Sequence, residues 1–201
     1  ENTGLIIELG SYVLKETFEV LYEWNEKGRV LQNFSINISM RQLMNETFIK
    51  EVEALMQKYF SHKNLEQKIF FEITEHVFAE DMNKVIVSMN RLKQLGISFS
   101  IDDFGTGYSS LAYLKQLPIQ SLKLDKSFVH DIETDPNDAA ICTATIALAH
   151  NLGLTVVAEG IETKMQLDFL TEHGCDYLQG YYFSKPLPAD EMSEFLSQHK
   201  A

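Results

Sequence analysis

Six apolar, strand-like runs in this chain each end on, or close to, a polar residue. Asn37 closes FSIN, Glu72 closes IFFE, and the pair Asp102/Asp103 closes SFSIDD; Lys123 lies in SLKLD, Glu159 ends TVVAE, and Gln179 sits in YLQG. The runs are β-branched or aromatic, and most are followed by a stretch of helical periodicity. That alternation predicts a parallel sheet with helices on its faces. Both faces of such a sheet are covered, so an ionisable group at a strand end has little water to solvate it and costs free energy unless it is paired. One such group would be an accident; a full set of strand ends carrying one predicts a built site. In barrels of alternating strands and helices, the C-terminal strand ends converge at the mouth, where the chemistry is placed. The expected fold class is therefore α/β, a (β/α) barrel of the TIM type, with residues 1–201 as one domain. The strand-like runs are fewer than a closed (β/α)8 barrel requires, so the barrel is expected to be incomplete at its N-terminus.

The helical stripes between these runs read as core faces. An opening helix over about Leu5 to Trp24 carries Leu9, Tyr12, Val13, Val20, Leu21 and Trp24, and Gly28 breaks it. Asn45 is placed to cap a second helix bearing Phe48, Val52, Leu55, Met56 and Tyr59. Phe78, Met82, Val85, Ile86, Met89 and Leu92 mark a third, stopped by Gly96. A short helix through Leu111 and Leu114 ends before Pro118. Ile141, Thr145, Leu148 and Leu152 form a stripe ended by Gly153; another helix lies between Glu162 and Gly174, and a last one carries Met192, Phe195 and Leu196.

Composition narrows the chemistry. The chain has 201 residues, 45% of them hydrophobic, enough for a real core. No apolar run approaches the roughly 20 residues that span a bilayer, so no membrane contact by this domain is expected, and its location is read as cytoplasmic. Two cysteines, Cys142 and Cys175, show no framework spacing and read as reduced, buried thiols. With Lys+Arg 17 against Asp+Glu 29, the net charge of −12 argues against DNA, whose binding depends on neutralising many phosphates. An anionic substrate is still compatible if metal ions and one or two placed cations supply positive charge locally.

Asn37, Glu72, Asp102, Asp103 and Glu159 offer only oxygen donors, and the six histidines show no paired ligand spacing. Oxygen ligands with carboxylate charge suit Mg²⁺ or Mn²⁺ rather than zinc. Adjacent Asp102 and Asp103 could serve two ions, the usual apparatus for in-line displacement at phosphorus. The plainer alternative is a loop in which these aspartates cap a helix. Glu72 sits in otherwise apolar IFFEI, where an ion pair with Lys123 would also explain it. Lys123, between Leu122 and Leu124, reads as an ammonium that binds phosphate or the attacking water, or as a counter-ion for the carboxylates. Lys126 reads as surface. Phe104, Gly105, Thr106 and Gly107 belong to a Gly-containing loop able to close over a substrate. Gln179 offers an amide to a base edge or ribose, and Tyr181, Tyr182 and Phe183 could stack a base or fill the core.

The strings SINIS, FEITE, SIDDFGTGYSSL, LKLDKSFV, VVAEGIET and QGYYFSKPLP, in this order along nearly the whole chain, resemble the EAL-domain family, bacterial phosphodiesterases that linearise cyclic di-GMP to pGpG. The resemblance implies metal-dependent hydrolysis with two ions, Mg²⁺ or Mn²⁺. It implies Asn37, Glu72 and Asp102 as metal ligands, with Asp103 and Glu159 completing the metal and water site. Lys123 and Glu159 are the implied catalytic pair, and Gln179, with Lys123, contacts substrate. Glu75 and Glu162 are the implied supporting glutamates, Glu75 steadying the DDFGTG lid. The Glu-Ala-Leu tripeptide that names the family, and an Arg near it, are not in this sequence, which resembles the family from just downstream of them; an N-terminally shortened domain is the expectation. The implied partners are cyclic di-GMP, a second copy in a homodimer, and an upstream sensory or regulatory domain, through which the parent could be membrane-attached. A non-catalytic cyclic di-GMP receptor or interaction module is the alternative, and another barrel phosphodiesterase a weaker one.

Overall fold

The structure is a computed structural model that describes residues 5–29, 31–60, 68–74, 82–105 and 111–198. The elements run α1 (Leu5–Glu26), β1 (Asn33–Asn37), α2 (Met40–Leu43), α3 (Glu46–Phe60), β2 (Lys68–Thr74), α4 (Met82–Lys93), β3 (Ile97–Phe104), α5 (Leu111–Leu114), β4 (Ser121–Leu124), α6 (Lys126–His130), α7 (Pro136–Asn151), β5 (Thr155–Ala158), α8 (Lys164–Glu172), β6 (Tyr177–Leu178) and α9 (Ala189–Gln198). Strand order follows chain order, β1-β2-β3-β4-β5-β6. The β1–β2, β3–β4, β4–β5 and β5–β6 ladders are parallel, and a helix stands between successive strands. This is the expected α/β architecture of the (β/α) type. No helix among the described residues is long and apolar enough to cross a membrane.

The chain divides into two compact units, Glu1–Glu72 with Glu80–Ser98 and Leu187–Ala201, and Ile73–Ala79 with Phe99–Pro186. In the first, α1 packs on α3. Its inward stripe is Leu14, Phe18, Leu21 and Trp24, and Phe18 meets Phe60 edge-on at 5.6 Å between ring centroids. Here the expected face is corrected at its start: Leu9, Tyr12 and Val13 are exposed. Leu21 and Trp24 are buried as expected, but toward the N-terminus the buried side continues through Phe18 and Leu14, because α1 has apolar residues on more than one face. Asn45 caps α3 as expected, its Oδ1 accepting from the N–H groups of Thr47 at 2.9 Å and Phe48 at 3.1 Å. Val52, Leu55, Met56 and Phe60 are buried on that helix. On α4 the buried residues are Val85, Met89 and Leu92; Phe78, expected beside them, lies outside the described residues. Arg91 forks onto both oxygens of Glu53, at 2.5 and 2.8 Å, and reaches Glu46 at 2.8 Å, tying α4 to α3.

In the second unit, Phe99 and Ile101 of β3, Leu122 and Leu124 of β4, and Val156 and Ala158 of β5 are buried. Helix α7 starts at Asp135, whose side chain accepts from the N–H of Asn137 at 2.8 Å, with Pro136 in the first turn. Its expected stripe holds at Thr145, which is buried, and fails at Ile141, which is exposed; Leu148 and Leu152 are partly exposed, and the buried face is Cys142, Thr145, Ile146 and Ala149. Cys142 and Ala149 on that face are small, so a reading that followed Ile141 and Leu148 turned the stripe partly away from the buried face. On α9 no residue is fully buried, Met192, Phe195 and Leu196 being its least exposed apolar side chains.

Both cysteines are free thiols, Cys142 buried and Cys175 only partly so. Burial pushes the Cys142 thiol up to about 12 and the Cys175 thiol up to about 11. Since the thiolate is the reactive form, both are expected to resist iodoacetamide at neutral pH in the folded chain and to react together once denaturant is added. Mass spectrometry of native and denatured samples reads this directly; rapid native labelling of Cys142 would contradict its placement.

Candidate active site

The site in the second unit begins with an irregularity. Strand β3 pairs with β4 as Ser100↔Ser121 and Ile101↔Leu122, then slips, so that the next partner pair is Phe104↔Leu124. Within the slip Asp103 has φ +54°, the one positive value at a non-glycine residue among those described. Such a conformation is costly for a residue with a Cβ and is tolerated most readily by Asp and Asn. In a regular strand Asp102 and Asp103 would face opposite ways. Here their carboxylates and that of Glu159 each place an oxygen within 4.8 Å of the others. The bulge re-aims a side chain, as bulges beside active sites do.

Lys123 lies at the centre of charge. It is 3% exposed, and its Nζ stands 2.6 Å from Glu159 Oε1 and 3.1 Å from Asp102 Oδ1. Strand β4 supplies it from between buried Leu122 and Leu124, and it pairs in register with Val157 of β5. The carboxylates thus hold the ammonium, as the counter-ion reading expected, with Asp102 and Glu159 as the partners shown.

Asp125, two residues on, was not singled out from the sequence. It caps α6, accepting from the Ser127 N–H at 2.9 Å and the Ser127 hydroxyl at 2.5 Å, and it shares a hydrogen bond with Asp103. Burial, then the Asp102 and Asp125 carboxylates, push the Asp103 carboxyl above the ordinary range. Burial also raises Asp125, but the Ser127 hydroxyl and N–H outweigh it and hold that carboxyl low. The signal was available, because Asp125 ends its apolar strand as the other site residues end theirs.

Glu159 leads out of β5, and the loop after it is tied to β6. Glu159 N–H donates to Leu124 O at 3.1 Å, Gln179 N–H to Ala158 O at 2.9 Å, Ile161 N–H to Gln179 O at 3.1 Å, and Tyr182 N–H to Ile161 O at 2.9 Å. A Cβ on Gly180 would fall 2.2 Å from both Ile161 N and Ile161 O, so only glycine admits this approach. Gln179 is exposed beside the Glu159 loop. Tyr181, Tyr182 and Phe183 are exposed too, which rules out the core reading of that run. The Glu162 side chain is exposed, while its N–H is held by Gln166. Phe104 is buried and Gly105 exposed at the end of β3; Glu75, Thr106 and Gly107 lie outside the described residues. In the first unit Asn37 and Glu72 stand opposite each other at the end of the β1–β2 ladder, Asn37 exposed and Glu72 7% exposed.

Three comparisons bear on this arrangement. The EAL domain profile matches residues 1–186. The signalling protein YkoW of Bacillus subtilis is 42% identical over 98% of this chain and 24% of its own length. The cyclic di-GMP phosphodiesterase NbdA of Pseudomonas aeruginosa is 41% identical over 100% of this chain and 25% of its own. The chain thus spans about a quarter of the length of these curated relatives. Among solved structures, the PaMucR phosphodiesterase in its c-di-GMP complex superposes with a TM-score of 0.86 at 38% identity, over 96% of this chain and 76% of that one. The matched profile covers the Asp102–Asp103 bulge, Lys123, Glu159 and Gln179 alike, and on that match the chain belongs to the EAL domain family.

Proposed function

We propose that this chain hydrolyses cyclic di-GMP to pGpG with the help of Mg²⁺ or Mn²⁺. The observation that carries the reading is the buried Lys123 ammonium bridging Asp102 and Glu159, beside Asp103, in a chain whose relatives include named cyclic di-GMP phosphodiesterases. Three carboxylates against one ammonium leave the cluster short of positive charge, and its donors are all hard oxygens, so it fits a divalent cation. Asp102, Asp103 and Glu159 would hold such ions here; Asn37 and Glu72 are proposed ligands from the family resemblance. When bound, two divalent ions supply charge to the phosphate and acidify water.

The chain's own residues do the rest. Glu159 orients the attacking water and receives its proton as the oxygen adds to phosphorus. The P–O3′ bond breaks in line, and the departing 3′ oxygen takes a proton from solvent. Lys123, fixed by its two carboxylates, offsets the charge that builds on the phosphoryl oxygens. Gln179 reaches a base edge or ribose, and the exposed Tyr181–Phe183 run offers aromatic faces for stacking. Pairing with a second copy and control by a sensory or regulatory domain belong to the same proposal.

The test is chromatographic detection of pGpG with and without metal. Turnover is expected to vanish in excess EDTA and to return with Mn²⁺ or Mg²⁺. Undiminished turnover in EDTA would remove the metal from the mechanism; tight cyclic di-GMP binding without turnover under saturating Mn²⁺ would make the domain a receptor.

A further inference from the structure

Gln166 was not marked by the sequence, yet it is one of the few buried polar side chains of the second unit, 3% exposed. Its first role is ordinary. Three residues after Thr163 it completes a capping box on α8, its N–H donating to Thr163 Oγ1 at 3.1 Å and its Oε1 accepting from Thr163 N–H at 3.0 Å. Two further bonds exceed what a cap requires. The same Oε1 accepts from Glu162 N–H at 2.7 Å, and the amide Nε2 donates to His130 O, the last residue of α6, at 3.3 Å.

Those two bonds join the arms that carry the catalytic pair. Lys123 leads through Asp125 into α6 and reaches His130; Glu159 leads through its loop into α8 and reaches Gln166. The arms meet at one end in the 2.6 Å contact between Lys123 Nζ and Glu159 Oε1, and at the other in the Gln166–His130 bond. Between them Gly160, at φ +75°, lies so close to α6 that a Cβ would come 2.6 Å from Lys126 Cβ. Thr163 Oγ1 adds a bond to Glu133 Oε1 at 2.5 Å. We infer that Gln166 is a positioning residue: its buried amide braces the Glu159 loop against α6 and so fixes the Glu159 carboxylate relative to Lys123. The inference rests on the proposed metal-dependent hydrolysis and adds the residue that sets its geometry.

Gln166→Glu separates brace from cap. Glutamate serves a capping box as well as glutamine, but an ionised carboxylate cannot donate to His130 O. A carboxylate buried against the His130 carbonyl oxygen costs stability, so the melting temperature is expected to fall by on the order of 5 °C in a protein that still folds, while turnover falls about tenfold or more, the usual cost of losing a supporting partner. Mn²⁺ affinity, read by electron paramagnetic resonance without substrate, is expected to weaken by about tenfold. The ratio of variant to parent turnover should rise as pH falls, because the introduced carboxyl regains a donor once it is protonated. Thr163→Ala is the converse: it removes the cap hydroxyl together with its exposed bond to Glu133 Oε1 and leaves the buried amide on His130 O, so the melting temperature drops while turnover stays within about threefold of the parent. Parent-like turnover and Mn²⁺ affinity in Gln166→Glu would overturn the inference. So would a loss of turnover in Thr163→Ala as large as that in Gln166→Glu, which decides the matter even if the latter fails to fold. If the parent binds Mn²⁺ but leaves cyclic di-GMP intact, the proposed function fails while the Mn²⁺ arm still reads the brace.

Discussion

Asp102→Ala is expected to reduce cyclic di-GMP turnover by about a thousandfold or more, about 4 kcal/mol of transition-state stabilisation. Asp102 Oδ1 faces Lys123 Nζ at 3.1 Å, and it also accepts the N–H of Asp103 at 3.0 Å. One carboxylate thus meets the ammonium, supports the strained turn that aims Asp103, and lines the proposed metal cluster. Removing it takes away a proposed ligand and loosens the neighbour beside it, losses that act in the transition state rather than only on binding. The fold is expected to survive, because Lys123 keeps Glu159 at 2.6 Å. Asp102→Asn should fall between, retaining an oxygen for the Asp103 N–H but losing the charge. Steady-state kinetics with Mn²⁺, alongside circular dichroism, check this; turnover within tenfold of the parent in a folded Asp102→Ala protein would show that Asp102 is not a ligand.

The strand ends were legible in the sequence because a charged residue closing an apolar strand violates the hydrophobic pattern, and violations stand out. That rule located Asp102, Lys123 and Glu159, which the structure brings together, and it named Gln179 beside the Glu159 loop. What lay beyond it depends on backbone detail that period-two alternation does not carry. Alternation would turn Asp103 away from Asp102; the slip in register and the +54° φ bring it back. Asp125 obeys the strand-end rule but follows Lys123 so closely that one choice obscured the other. Gln166 could not be found by hydrophobic patterning, because a glutamine after a cap reads as surface. The errors on α1 and α7 have a common cause: both helices carry apolar residues on more than one side, and only packing decides which side is inward.

Lys123→Met is expected to destabilise the protein by about 3 kcal/mol, a fall in melting temperature on the order of 10 °C. The lysine side chain is 4% exposed, and its partners Asp102 and Glu159 are 14% and 19% exposed, so water screens the remaining carboxylates poorly. Taking away the ammonium leaves Asp102, Asp103 and Glu159 facing one another without the charge that bridged them. A methionine fills the same volume, so the loss is one of charge rather than of packing. The same charge balance fixes the response to metal. A ligand that binds only the folded state stabilises it in proportion to its affinity, and three carboxylates without the competing ammonium should hold a divalent ion more tightly. Mn²⁺ is therefore expected to raise the melting temperature of Lys123→Met by more than it raises that of the parent, recovering part of the loss. Turnover should not return with it, and should stay about a hundredfold or more below the parent, because the ion restores charge to the cluster but not the ammonium held between β4 and β5. Calorimetric melts with and without Mn²⁺, paired with kinetics, separate the two effects. An equal shift for both proteins, with a melting temperature unchanged by the substitution, would mean that Lys123 does not hold these carboxylates and that another group balances their charge.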